Sequence, residues 1–239
     1  AAFENLSEDG FSVELISHSL PQAELIEKIR GVHVLGIRSK TKVTRKVLEA
    51  ANKLMVIGAF CIGTTQIELE YARNKGVVVF NAPYSNTRSV VELAIGEIIM
   101  LMRSIFPRCT EIHGGTWNKT ASNSREIRGK NLGIVGYGNI GKQLSVLAEA
   151  LGMRVYYYDI EDKLALGNAV RCDTLEDLLN VSDVVSLHVD DNPHNHNLIG
   201  SREIRQMREG AYLINLSRGF VVDIPAQEEA LRSGRLSGA

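Results

Sequence analysis

Gly136, Gly138 and Gly141, the acid Asp159 and the arginine Arg218 are the residues of this sequence whose types and spacing could do chemistry. A G-x-G-x-x-G run alone is only a flexible turn, because glycine is common wherever a chain bends. Its neighbours give it meaning. Residues 132–135 (LGIV) read as a buried parallel strand, residues 143–151 as a helix, and residues 154–158 (RVYYY) as a second strand ending at Asp159. Strand, glycine turn, helix and strand, with an acid about twenty residues past the glycines, make the dinucleotide-binding fingerprint. In it Gly136 permits the tight turn, Gly138 lets backbone approach a pyrophosphate, and Gly141 lets helix and strand pack closely. The free N–H groups and positive dipole end of the helix suit the phosphates. A carboxylate at Asp159 accepts from both ribose hydroxyls and repels a 2′-phosphate, so NAD is expected in preference to NADP. Its bland alternative is a surface acid that closes a strand.

Arg218 stands in Asn215-Leu216-Ser217-Arg218-Gly219, at the carboxyl end of another expected strand. Ligands of open α/β sheets bind outside such ends. A guanidinium there offers a planar fork of donors that matches a carboxylate. An isolated arginine would more simply be salt-bridged at the surface. Beside a dinucleotide site, a carboxylate-bearing ligand is the reading taken.

Alternating elements must position these groups. Strand-like pieces at residues 12–16, 34–37, 54–59 and 77–80 alternate with helical pieces at 23–30, 44–51 and 67–75. That alternation predicts a parallel sheet flanked by helices. A turn-rich connector at residues 81–86 leads into a long helix from about residue 88 to 103, with Ser89 to Glu92 fitting a capping box. The helix is apolar nearly all round, so burial between elements and a bridging role between two domains are expected. Beyond the fingerprint, helices are predicted at 174–180, 201–207 and from the cap Asp223 to about 232, with strands at 183–189 and 211–215. The fold class expected is α/β: two Rossmann-like, doubly wound parallel-sheet domains joined by a long interdomain helix.

Bulk properties narrow the partners. The 239 residues are 44% hydrophobic and 23% charged with a net charge of −1, an ordinary globular balance that favours neither nucleic acid nor an anionic membrane. Cys61, Cys109 and Cys172 are odd in number and widely spaced, which argues against a disulfide framework and for a reducing cytoplasm. The longest apolar segment, residues 93–102, carries Glu97 and is too short to span a bilayer. His194 and His196 sit in a polar loop at a spacing that suits no metal site.

Taken together, the string NAPYSNTRSVVE at 81–92, the glycine fingerprint, NLSRG at 215–219, RSKT at 38–41, FCIGT at 60–64, WNK at 117–119 and YDIE at 158–161 resemble the D-isomer-specific 2-hydroxyacid dehydrogenases. The likeness runs in order over nearly the whole chain. It implies an incomplete flavodoxin-like substrate domain at residues 1–85 and an NAD-binding Rossmann domain at 86–239, cut short at its end. The activity implied is hydride transfer between a phosphorylated D-2-hydroxy acid, 3-phospho-D-glycerate, and NAD in serine synthesis. Alternatives are a dehydrogenase of another D-2-hydroxy acid, or a non-catalytic NAD-sensing relative of the family's co-repressors. By the resemblance Arg38, Ser39 and Lys40 face the substrate phosphate. Ile62 and Gly63 present backbone N–H groups to its carboxylate, with Asn86 beside them. Arg218 orients the reacting carbon, Asn139 and Ile140 contact the pyrophosphate, Leu216 and Ser217 the nicotinamide side, and His188 lines the cofactor groove. A homo-oligomer, dimer or tetramer, is implied as well.

Two positions depart from the family pattern: Lys40 where a second arginine is common, and Asp190 where proline is common. Lysine keeps the charge but loses the bidentate fork. The family's Glu and His that handle the hydroxyl proton come after the strand expected to begin near Leu236. Residues 1–6 fall in the family's first helix, behind its first strand. The chain therefore reads as a fragment that binds the cofactor and lacks the acid/base pair.

Overall fold

The structure is a computed structural model that describes residues 2–239. The chain divides into two compact units, Ala1–Ser85 and Asn86–Ala239.

The first unit contains α1 (Ala2–Glu8), α2 (Gln22–Lys28), β1 (Val34–Ile37), α3 (Arg45–Ala50), β2 (Val56–Ala59), α4 (Leu69–Asn74) and β3 (Val78–Asn81). Its strands form a parallel sheet in the order β1-β2-β3, with Val34, Val56 and Val78 in register. Leu25, Ile29, Val47, Leu48, Ile57 and Ala72 from helices and sheet close its core. Residues 12–16, expected as a strand, are irregular: among the described residues none pairs with the outer edge of β1, and Leu15 is left exposed. Residue 1, part of the segment read as the first helix, lies outside the described residues.

The second unit opens with α5 (Thr87–Met102) and α6 (Ile105–His113). There follow β4 (Asn131–Val135), α7 (Asn139–Ala150), β5 (Arg154–Tyr158), β6 (Val170–Arg171), α8 (Leu175–Val181) and β7 (Val184–Leu187). The unit ends with α9 (Ser201–Gln206), β8 (Ala211–Asn215), α10 (Ile224–Arg232) and β9 (Leu236–Gly238). All pairings are parallel and the order is β6-β5-β4-β7-β8-β9. This is the doubly wound dinucleotide-binding order, and strand order reverses between β4 and β7. Side chains alternate across the sheet, as the pleat requires. Leu132, Ile134, Val184, Tyr212 and Ile214 face a core shared with α5 and α7, whereas Val135, Val185, Leu187 and Leu213 face the one shared with α8, α9 and α10.

Three expectations are corrected. The helix after the glycines begins at Asn139, four residues earlier than read, with Gly138 as its N-cap residue. A glycine inside a helix costs propensity, and here close packing compensates, as described below. Asn86, not Ser89, stands at the N-cap of α5, and Glu92 takes Arg88 Nε at 2.6 Å instead of closing a capping box. The same helix buries one stripe, Val91, Ala94, Ile98 and Met102, and leaves Leu93 and Met100 exposed. It belongs to the second unit, whose core it completes. Among the described residues no helix is long and apolar enough to cross a membrane.

Candidate functional site

The carboxyl ends of β4, β5, β7 and β8 bring together Gly136–Gly141, Asp159, His188 and Leu216–Arg218. Chemically similar glycines serve different ends here. Gly136 has φ of +91°, and a Cβ on it would lie 2.6 Å from the His188 carbonyl oxygen, so the turn after β4 is pressed against the chain leaving β7. A Cβ on Gly141 would collide with the Gly136 carbonyl oxygen and lie 3.1 Å from Ile134 Cγ2. Gly138 has an ordinary φ of −79° and nothing within 4 Å of its would-be Cβ. Protein packing explains the first two glycines. The third borders open space, the arrangement needed for a ligand to approach backbone closely.

Gly138 is also the N-cap of a twelve-residue helix, and no side chain caps it. The N–H groups of its first residues, Asn139 and Ile140 among them, have no acceptor within the helix, and the dipole adds positive potential. Asp159 follows β5 directly. Its Oδ2 accepts the Tyr137 N–H at 2.7 Å and its Oδ1 accepts the Glu161 N–H at 2.9 Å. Each oxygen retains lone-pair capacity for a further donor. The residues thus fit a dinucleotide: a glycine facing open space, helix N–H groups beside it, and an anchored carboxylate one strand away.

His188 lies past the end of β7. Its Nε2 is 2.8 Å from Ser186 Oγ, and its Nδ1 is shut from solvent with no partner among the described residues. Burial lowers its pKa to about 4, so the ring is neutral at pH 7. A pKa that low makes it a weak base; its buried, unpartnered Nδ1 suits a polar contact.

Asn215 braces the loop after β8. Its Oδ1 accepts from Ser217 N at 3.0 Å and Ser217 Oγ at 2.7 Å, while its Nδ2 donates to the Arg218 carbonyl at 2.8 Å. Arg218 Nη1 donates to the Ser217 carbonyl at 3.0 Å, and Nε lies 3.5 Å from Asp191 Oδ2. The sequence reading passed over Asp191; the only signal was an acid next to Asp190, at the departure from the family pattern. Asp190 itself is engaged by Asn195 Nδ2, at 2.8 Å from Oδ1. Tyr137, hidden between the glycines, was passed over as well.

The remaining predicted residues lie elsewhere. Arg38, Ser39 and Lys40 are exposed just past the end of β1. Ile62 and Gly63 form the turn after β2, where the Ile62 carbonyl accepts from Asn81 Nδ2 at 2.8 Å and the Gly63 carbonyl from Gln66 Nε2 at 3.1 Å. Both sets are strand-end residues of the first unit, and Asn86 begins the second.

A strand order reversing at a glycine turn, with an acid at the next strand end, defines a dinucleotide-binding α/β domain. The chain belongs to the D-isomer-specific 2-hydroxyacid dehydrogenase family: residues 95–239 match its NAD-binding domain. Over its full length it is 56% identical to D-3-phosphoglycerate dehydrogenase of Dictyostelium discoideum and 54% identical to that of Escherichia coli K12, covering 59% and 58% of those proteins. The chain thus spans somewhat more than half the length of these curated relatives. The fold also superposes on D-lactate dehydrogenase of Aquifex aeolicus, solved with NAD and lactic acid. That match has a TM-score of 0.85 and 26% identity, over 99% of this chain and 72% of that one.

Proposed function

We propose that this chain carries the cofactor- and substrate-holding parts of a D-3-phosphoglycerate dehydrogenase, which oxidises 3-phospho-D-glycerate to 3-phosphohydroxypyruvate in serine synthesis. The observation that carries this reading is whole-chain identity of 54–56% to relatives bearing that name. When bound, NAD supplies the acceptor for the hydride on C2 of the acid. Gly138, Asn139 and Ile140 hold its pyrophosphate, Asp159 its adenosine ribose, and Leu216, Ser217 and His188 line the rest of its groove. Arg218 holds the substrate carboxylate region, steadied by Asp191. Arg38, Ser39 and Lys40 hold the phosphate, and Ile62, Gly63 and Asn86 hold the carboxylate. Arg38 and Lys40 form no ion pair with a described residue, which leaves their charge for an anion. Domain roles follow: residues 1–85 for substrate and 86–239 for NAD.

The protein acts as a homo-oligomer. Helix α6 buries none of its residues within the chain, and Phe106, Ile112 and Trp117 are exposed on it or just beyond it. A nine-residue helix does not persist on propensity alone, and an exposed apolar face is what a two-fold partner covers. The near-zero net charge leaves little repulsion between copies. Free Cys61, Cys109 and Cys172 suit a reducing cytoplasm.

Calorimetric titration of the chain with NADH present tests the substrate. 3-Phospho-D-glycerate should bind about tenfold or more tightly than D-glycerate, from charge-assisted hydrogen bonds to phosphate. Arg38→Ala should remove most of that difference. Equal affinities for the two acids in the unaltered chain would overturn the phosphate reading.

A further inference from the structure

Beneath the glycine turn runs a polar thread that phosphate binding does not require. The Tyr137 ring is fully buried and stacks on the Tyr157 ring at 3.8 Å between centroids. Its hydroxyl is 2.8 Å from Ser145 Oγ and accepts the Leu166 N–H at 3.2 Å. Ser145 has one hydroxyl proton and donates it to the Lys142 carbonyl at 2.8 Å, so Tyr137 must be the donor to Ser145. The thread therefore has one direction, from Leu166 through Tyr137 and Ser145 into the N-terminal half of α7.

Its outer end holds the segment 160–168, which contains no helix or strand. That segment is fastened again where the Tyr157 hydroxyl donates to the Lys163 carbonyl at 2.6 Å, and where the Asn168 N–H donates to Glu149 at 3.1 Å. It starts immediately after Asp159. The Tyr137 backbone N–H grips one oxygen of Asp159, and the other is gripped by Glu161 of the segment that the Tyr137 hydroxyl fastens. One residue thus governs both sides of the carboxylate.

The geometry points to Tyr137 as a positioning residue for cofactor discrimination: its hydroxyl fastens residues 160–168 and so orients the Asp159 carboxylate that distinguishes NAD from NADP. This rests on the reading of Asp159 as the ribose-binding acid. Loss of one hydrogen bond in such a thread should lower the NAD-to-NADP affinity ratio about fivefold. The test measures both affinities by titration for the unaltered chain, Asp159→Ser and Tyr137→Phe, the last of which keeps the ring stack. Hydrogen exchange is followed in parallel, and in Tyr137→Phe it should quicken across 160–168 while α8 keeps its protection. Should Tyr137→Phe fail to fold, Leu166→Pro takes its place, because it removes the N–H that the hydroxyl accepts. A merely structural hydroxyl would lower thermal stability and leave the ratio alone. A ratio within about twofold of the unaltered chain in the Tyr137 variant, with Asp159→Ser shifted, overturns the positioning role. An unmoved ratio in Asp159→Ser overturns the ribose reading and the role together.

Discussion

Gly138→Ala and Gly141→Ala add the same methyl group three residues apart, and the structure gives them opposite consequences. At Gly141 the methyl meets the Gly136 carbonyl oxygen and lies 3.1 Å from Ile134 Cγ2. The carbonyl cannot retreat: the Gly136 N–H is tied to the Tyr158 carbonyl at 2.9 Å, and the residue already occupies φ of +91°. Overpacking of this kind costs about 1–3 kcal/mol or more. At Gly138 the methyl meets nothing within 4 Å and φ is −79°. Alanine is a poorer N-cap than glycine, but it restricts the unfolded chain, so the net change in stability should stay within about 1 kcal/mol. The methyl would instead stand where the pyrophosphate approaches, and about tenfold weaker NAD binding is expected from a comparable steric cost. Native-state hydrogen exchange of β4 and α7 amides reads the stability of the second unit directly. At NAD equal to about 100 Kd the unaltered chain gains about 2.7 kcal/mol, and at the same concentration Gly138→Ala should gain about 1.4 kcal/mol. Gly141→Ala should lose protection before any NAD is added. Gly138→Ala with undiminished NAD affinity would refute the ligand-approach argument, and an equally stable Gly141→Ala would refute the packing argument.

His188 predicts a pH dependence. Its pKa is lowered from 6.5 to about 4 in the fold, so between those values the unfolded chain takes up a proton that the folded chain refuses. Stability is full above pH 6.5 and falls toward pH 4, by about 3 kcal/mol at about 1.4 kcal/mol per pH unit. His188→Gln, which keeps a hydrogen-bonding group for Ser186, should lose correspondingly less between pH 7 and pH 4; parallel losses measured by denaturant unfolding would count against the assignment. The exposed apolar face at α6 predicts association, so Phe106→Ser together with Trp117→Ser should lower the mass found by sedimentation velocity without lowering thermal stability. A chain that is monomeric before substitution would contradict the oligomer.

Much of this protein is written in local pattern. The glycine spacing, the apolar run of β4, the strand ending at Asp159, a helix cap at Asp173 or Thr174 and another at Asp223 are short-range features. Each is readable because periodicity and capping depend on residues a few positions apart. The Thr174 side chain does accept from Asp177 N at 3.1 Å, and that of Asp223 from Ala226 N at 3.2 Å. Where neighbours did not decide, reading along the chain failed. Residues 12–16 alternate like a strand but do not pair with the free edge of β1. Helix α6 goes unannounced because Pro107, a residue that ordinarily marks a helix boundary, stands inside it.

Sequence alone determined that a dinucleotide fingerprint is present, that its acid suits NAD, and that an arginine closes a later strand. Tertiary structure decided what each residue does. It supplied the contacts behind the three glycine roles that the fingerprint implies: Gly138 faces open space, whereas Gly136 and Gly141 are pressed against backbone. It revealed Tyr137, unremarked in the sequence, as a hydroxyl holding Leu166, 29 residues away. It shut His188 Nδ1 off from solvent and set Asp191 beside Arg218. The physical reason is that parallel sheets pair strands through long crossovers. Contacts at their carboxyl ends therefore join residues whose separation along the chain carries no trace of the meeting.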